Sequence, residues 1–510
     1  MLKSKFTTGF LLLAGLTLSP LASLPASAQK SADTLRVTWR DAIPNIDPYY
    51  NQLRSGIILA HQAWDTLIYR DPETFQNKPL LAESYTWVDD TTLDFTLRQG
   101  VTFHNGDKFT ADDVVYTINT VIADKQVQVP SNYSFYESAE KIDDYHVRVK
   151  LKRVFPAALD YIAMTLWIWP KAYREKVGAD EYRQHPVGTG PYKITRVDGV
   201  TQIDLERYDG YYAASPKGKP AIGKLTIHQV PDSATEMAEL LGGRADWIWK
   251  FSPDQFDNVG RMPTLQALRS ESMRIGYVRL DAAGRTGADN PLTKEKVRQA
   301  IFHAIDRETM AKQLVQGGSR ALNAPCYPTQ FGCDAGAAVA YPYDPAKAKA
   351  LLAEAGYPNG FDTELVTYVL PSWAGAMQNY LKAVGINAKL SVLQVGAVVQ
   401  RSIAGQNPME AGDWGSYSIN DVSAILPQYF TGGDVDYARD ADLKALVQAG
   451  GATTDPDQRR KAYGAAIKMI TEKAYWLPMY TYTITYGISR QLSFKPYPDE
   501  LPRFWLASWK

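Results

Sequence analysis

This chain of 510 residues holds two cysteines, six histidines, no net charge and, past its first residues, no long apolar run. Each shortage excludes something. The 55 basic and 55 acidic residues cancel, so nothing in the charge balance recruits nucleic acid or an anionic membrane. The histidines (His61, His104, His146, His185, His228 and His303) stand singly along the chain, without the close spacing a local metal site needs. No H-E-x-x-H, G-x-S-x-G, C-x-x-C or Walker A pattern occurs, so no motif announces zinc, acyl-transfer, redox or nucleotide chemistry. Catalysis has no positive support, and no cofactor or metal site is expected. Beyond the N-terminus no apolar stretch reaches the roughly 18 residues of a spanning helix.

The cysteines that are present, Cys326 and Cys333, lie in NAPCYPTQFGCD. A close pair in an exported chain reads as a disulfide that pins a loop. Export itself is expected from the start of the sequence. Lys3 and Lys5 precede an apolar run from Phe10 to Leu18, and Ala26-Ser27-Ala28 follows. That is the layout of a cleaved signal peptide, with the cut expected after Ala28 and no nearby cysteine for lipid attachment. The remaining chain is too long for one core and suits several domains. Its 12 Trp and 31 Tyr make a high aromatic content; core packing accounts for most of it, and proteins that grip organic ligands commonly carry more aromatic surface than their cores need.

The most regular stretch is PLTKEKVRQAIFHAIDRETMAKQLVQGG, residues 291–318. Val297, Ala300, Ile301, Ala304 and Ile305 share one helical face. Thr293 is the expected N-cap, Gly317-Gly318 the stop, and Arg298, Asp306 and Arg307 the wet side. Alternation at Leu93, Phe95 and Leu97, and again at Val147, Val149 and Leu151, predicts two half-buried strands. Between them Asn105-Gly106 turns the chain and Thr110 caps a helix with Asp113 at its third position. Gly188-Thr-Gly190 is no phosphate loop, because Pro191 blocks helix entry and removes an N–H. A capping box is expected at Ser233-Ala-Thr-Glu236. Asp344-Pro345 starts a helix closed by Gly356, and Asn359-Gly360 turns into a strand. Further helices are expected over 374–384 and 456–473, and strands over 387–393 and through Tyr480, Tyr482, Ile484 and Tyr486.

Four blocks carry a resemblance: PL…VRQAI..AIDR, LRQGVTFHNGDKFTADDVVY, HPVGTGPY and YDPAKAKALLAEAGYPNGF. In this order they resemble the family 5 extracellular solute-binding proteins, which serve ABC importers of peptides, opines, nickel and related solutes. The resemblance implies an α/β fold like the type II periplasmic binding proteins, with two main lobes, an extra α/β lobe and a ligand cleft between lobes. The expected division is a signal peptide over 1–28, a first lobe from 29–65, 186–288 and 487–510, an extra lobe over 66–185 and a third over 289–486. It also implies a periplasmic monomer that hands a small molecule or peptide to a permease in the inner membrane. Two alternatives stay open: a secreted hydrolase, and a carrier of chelated nickel or haem.

A cleft of this kind needs aromatic walls and a few orienting polar groups. The candidates are Tyr49, Tyr50, Asn51 and Arg54 in the first loop, Tyr133 and Phe135 in the extra lobe, and Trp247 and Trp249 after Gly243. Phe331, Tyr368, Trp373, Trp414, Tyr417 and Asp421 complete the set. Trp414, in DWGSYSIND, sits where the family has a ligand-facing tryptophan. Dipeptide binders of the family carry an aspartate three residues later for the peptide's amino group; here that residue is Tyr417. They also carry an arginine in the loop matching 369–373, whereas 361–381 contains neither Arg or Lys. Asp421, Arg401 or Arg54 would have to substitute, or the ligand is an opine, a modified peptide or another organic solute.

Overall fold

The computed structural model describes residues 33–51, 53–199 and 201–510. The expected signal segment and its cleavage point lie outside the described residues. Among the described residues ten strands build one mixed sheet. From one edge to the other they run Ile386–Val392, Phe361–Thr367, Met409–Trp414, Leu265–Leu280, Trp476–Ser489, Trp247–Trp249, Thr34–Trp39, Lys224–Gln229, Gln202–Arg207 and Tyr192–Asp198. Phe361–Thr367 and Ile386–Val392 pair in parallel, with the helix Pro371–Ala383 as their crossover, because parallel neighbours need a long connection. The Asn359-Gly360 turn holds there: Gly360 has φ +78°, and a Cβ on it would meet the Gly385 carbonyl oxygen at 1.8 Å.

The two longest strands, Leu265–Leu280 and Trp476–Ser489, join the halves of this sheet. Residues Leu265 to Ser272 pair with Ser489 to Tyr482, beside Trp247–Trp249. Past a register shift between Ser272 and Ile275, residues Ile275 to Leu280 pair with Trp414 to Met409 on one side and continue along Thr481 to Trp476 on the other. Such an irregularity bends the strand and raises its twist, so the sheet turns where its two halves meet.

The alternating segments form the expected pair within a second, four-stranded antiparallel sheet, ordered Ala82–Asp89, Thr92–Leu97, His146–Leu151 and Tyr136–Asp143. Leu93 faces Val149 and Phe95 faces Val147 across it, and these side chains are buried. The helix Ala111–Ala123 covers this face, started by the Thr110–Asp113 capping box, in which the Thr110 N–H donates to Asp113 at 2.9 Å. Gly188 and Gly190 press against residues 62–64. A Cβ on Gly188 would lie 2.1 Å from the Ala63 oxygen, and the Gly190 N–H donates to that same oxygen at 3.0 Å. Here glycine serves backbone approach, not phosphate binding.

The long helix expected over 291–318 is corrected. A 3-10 turn Pro291–Thr293, capped by Asn290, precedes a helix Glu295–Ala304. The chain then extends at Ile305, and Asp306 caps a new helix at Thr309. The expected wet side is corrected too, since Arg298 and Arg307 are buried. Arg298 donates to the carbonyls of Leu292, Thr293 and Lys473, and Arg307 to those of Leu322, Pro478 and Tyr341. A guanidinium has enough donors to satisfy several loop carbonyls, and apolar periodicity does not register that use. The cap of the helix Ser233–Leu241 is Asp232, accepting from Thr235 N at 2.8 Å, so the Ser233 box is also corrected.

Cys326 and Cys333 are bonded to each other. Their loop docks on the segment 419–422, where Phe331 N donates to Asn420 O and Gln330 Nε2 to Ile419 O. Closing so short a loop is worth about 2–3 kcal/mol through the unfolded chain. A Cys326→Ser, Cys333→Ser variant is expected to lose that much in urea unfolding. An unchanged midpoint would mean that docking alone holds the loop.

Candidate functional site

A cavity of about 680 Å³ opens between two distant parts of the chain, residues 131–161 and residues 414–463. One wall is Phe135, Phe155 and Tyr161. Phe135 stacks on Phe155 at 4.4 Å, and Tyr161 meets Phe155 at 5.2 Å. The facing wall holds Trp414, Tyr417 and Tyr463. Trp414 meets the Tyr417 ring edge-on at 5.3 Å and donates its indole N–H to Ala424 O at 3.0 Å, which fixes its tilt. Ser131, Asn132, Ser134, Gln428 and Gln448 add polar groups. Volume and lining match the usual small-molecule site, apolar with a few orienting groups. A further hollow of about 560 Å³ lies along the helix Ala111–Ala123, beside Tyr116 and Lys171, but it lacks a facing wall of this kind.

Burial is the first cause of the upward shifts of the phenols. Tyr161, Tyr417 and Tyr463 all lie above their ordinary value, Tyr463 at about 12, and nearby Asp421 adds to the rise at Tyr161 and Tyr463. They therefore remain neutral hydroxyls near pH 7, able to donate and accept.

Tyr417 reaches the cavity from an unusual turn. Ser416, Tyr417 and Ser418 have φ of +49°, +48° and +63°, the left-handed region that costs an L-residue about 1–2 kcal/mol. Buried charges hold the turn. Arg54 donates to Ser418 Oγ at 2.7 Å, Arg70 to Ser418 O, and Ser418 Oγ to Asp499 O at 2.5 Å. Behind them Asp499 binds Arg70 at 3.1 Å and Arg503 at 2.7 Å. Glu500 accepts from Ser272 at 2.6 Å and from Arg274 at 3.1 Å, and lies 3.6 Å from Arg54. Arg274 also binds Asp413, next to Trp414. The C-terminal segment thus braces both the turn and the bend of the long strand at Ser272.

Of the residues singled out in the sequence, Phe135, Trp414 and Tyr417 border the cavity. The others lie elsewhere. Tyr49 packs on Trp169 at 4.4 Å and donates to Trp167 O, Tyr50 binds Asp124, and Tyr133 donates to Thr165 O. Asn51 folds its own loop by donating to Asn45 O, and Arg54 serves the turn. Trp247 and Trp249 are buried in the sheet beside Tyr486. Phe331 lies under Arg459 at 4.4 Å, Tyr368 donates to Asp413 O, and Trp373 packs on Tyr482 at 5.4 Å. Asp421 is paired with Arg459 at 2.8 Å, and Arg401 with Glu364 at 2.7 Å. The cavity is also bordered by Arg153, Phe155, Tyr161 and Tyr463, which the sequence reading did not single out. A bulky Val154-Phe155-Pro156 loop after a strand was a signal for the first two; Tyr463, on the buried stripe of its helix, offered none.

A profile of the bacterial extracellular solute-binding proteins, family 5 Middle, matches residues 76–436. The chain is 28% identical over 501 residues to the glutathione-binding protein GsiB of Salmonella paratyphi A, covering 93% of each chain. Its fold superposes on a dipeptide-binding protein from Pseudoalteromonas sp. SM9913 in complex with Met-Leu (TM-score 0.79, 23% identity, 94% of this chain and 100% of that one). It is likewise similar to AgaA of A. tumefaciens R10 in complex with agropinic acid (TM-score 0.76, 25% identity, 94% and 98%). Among the described residues no helix is long and apolar enough to cross a membrane. With a profile match over most of its length and the α/β architecture of the type II binding proteins, this chain belongs to the family 5 extracellular solute-binding proteins.

Proposed function

We propose that this protein is the periplasmic receptor of an ABC importer, exported by residues 1–28, which captures a small organic solute and presents it unchanged to a permease in the inner membrane. The observation that carries this is the cavity of about 680 Å³ with aromatic walls contributed by two separate parts of the chain. Under this reading the wall at 135–161 belongs to the extra lobe and the wall at 414–463 to the third, and solute stabilises the closed form by touching both. The long strands Leu265–Leu280 and Trp476–Ser489 then connect the first and third lobes, with the bend near Ser272 as their hinge. The protein acts as a monomer, and the solute is a peptide, a modified peptide or an opine-like molecule.

The experiment is to unfold the natively purified protein and identify what it releases by mass spectrometry. A stoichiometric organic solute is expected, which rebinds to the refolded protein and is recovered unaltered after long incubation. Conversion of that solute to a product would replace the receptor reading with an enzymatic one.

A further inference from the structure

Resting on the receptor reading, the geometry points to Arg153 as the group that reads charge in the cavity, selecting a solute of about dipeptide size with one carboxylate and no free ammonium. Among the described residues bordering the cavity Arg153 carries the sole formal charge. It is exposed, stands 5.4 Å over the Phe155 ring, and no carboxylate among the described residues pairs with it. A solute carboxylate entering between the walls gains a charge-assisted, two-pronged contact with a guanidinium that no carboxylate among the described residues engages.

An ammonium fares differently. Among the described residues no Asp or Glu borders the cavity. Asp421 is 3% exposed, paired with Arg459 at 2.8 Å and committed to Ser423 N at 2.8 Å. Asp160, beside Tyr161, also stays out of the lining. A free amine would be stripped of water with no anion to meet it. The neutral amides and hydroxyls of Ser134, Gln428 and Gln448 suit the peptide or ester groups of an N-blocked body instead.

The test uses one dipeptide body, Phe-Leu, in four charge forms: N-acetylated acid, N-acetylated amide, free zwitterion and free amide. Calorimetry with the full-length mature protein is expected to rank the acetylated acid first, about tenfold or more tighter than the acetylated amide, and the zwitterion below both. Arg153→Gln is expected to erase the gap between acid and amide, chiefly by weakening the acid, and Arg153→Glu to favour the free amide. Arg153 is exposed and in no ion pair among the described residues, so thermal melts of both variants are expected to match the parent.

Equal affinity for acid and amide, a gap that survives Arg153→Gln, or a preference for the zwitterion would overturn the inference. Silence from all four probes would also overturn it. The receptor reading would then still stand or fall on the solute released from the native protein, so the two failures are told apart.

Discussion

Replacing Asp499 by Asn is expected to cost about 3–5 kcal/mol of unfolding free energy at neutral pH, the loss that follows when one partner of a buried ion pair is removed. Asp499 is fully buried between two guanidinia that are themselves almost fully buried, Arg70 and Arg503. In the variant both cations lose the anion that compensates their desolvation. The pH dependence follows with a definite sign. Burial alone would raise the Asp499 carboxyl; Arg503 and then Arg70 more than reverse this and hold it at about 2, against an ordinary 3.8. A carboxyl depressed in the folded state contributes stability above its unfolded value and loses it as pH falls through the folded one. Glu500 acts in the same direction: burial opposes ionisation there, and Arg274, Arg54 and Lys250 keep its carboxyl well below the usual range.

Urea titrations of the parent and the Asn variant should therefore lie far apart at pH 7 and converge as pH falls from about 4 toward 2. A difference below about 1 kcal/mol at neutral pH would mean that water reaches this cluster and screens it. The variant should also bind solute more weakly, since Asp499 and its arginines hold the left-handed turn that presents Tyr417.

Trp414→Ala is expected to weaken binding of the natively released solute about 30-fold or more, the effect of losing a central aromatic anchor. Trp414 faces the cavity with its ring fixed at both ends, by Tyr417 and by its bond to Ala424 O. Trp414→Phe keeps a ring and loses that bond, so a smaller loss is expected. Trp249→Phe is the contrast. Trp249 is buried beside Tyr486 and lies outside the lining of this cavity, so its substitution should lower the melting temperature and leave affinity unchanged. Calorimetry is the suitable readout, because tryptophan emission would change with the substitutions themselves. If Trp249→Phe weakened binding as much as Trp414→Ala, the cavity would not be where the solute sits.

How much of this was legible beforehand depends on what kind of force placed each residue. The strands with Leu93, Phe95 and Leu97, and with Val147, Val149 and Leu151, were readable because alternation directly records which face is buried. Asp344-Pro345 and the Thr110–Asp113 box were readable because caps are local bonds within three or four residues. The helix at 291–318 was half readable: its apolar face was right, but Asp306 caps a second helix and Arg298 and Arg307 turn inward to distant carbonyls.

At the cavity the same division holds. Trp414, Tyr417 and Phe135 were marked in advance, whereas Trp247 and Trp249 carry the same side-chain type into the sheet interior. An aromatic ring buries favourably in a core or against a ligand, so residue type alone cannot tell the two apart.

The sequence by itself determined the α/β elements, the family and the lack of any catalytic or metal-binding motif, because each is written in short-range pattern. The tertiary structure decided the rest: that residues 131–161 meet residues 414–463, that Arg54 braces a turn, and that Asp421 is spent on Arg459 while Arg153 pairs with no carboxylate among the described residues. Those outcomes depend on which charges burial forces together across hundreds of residues, and no local pattern records that.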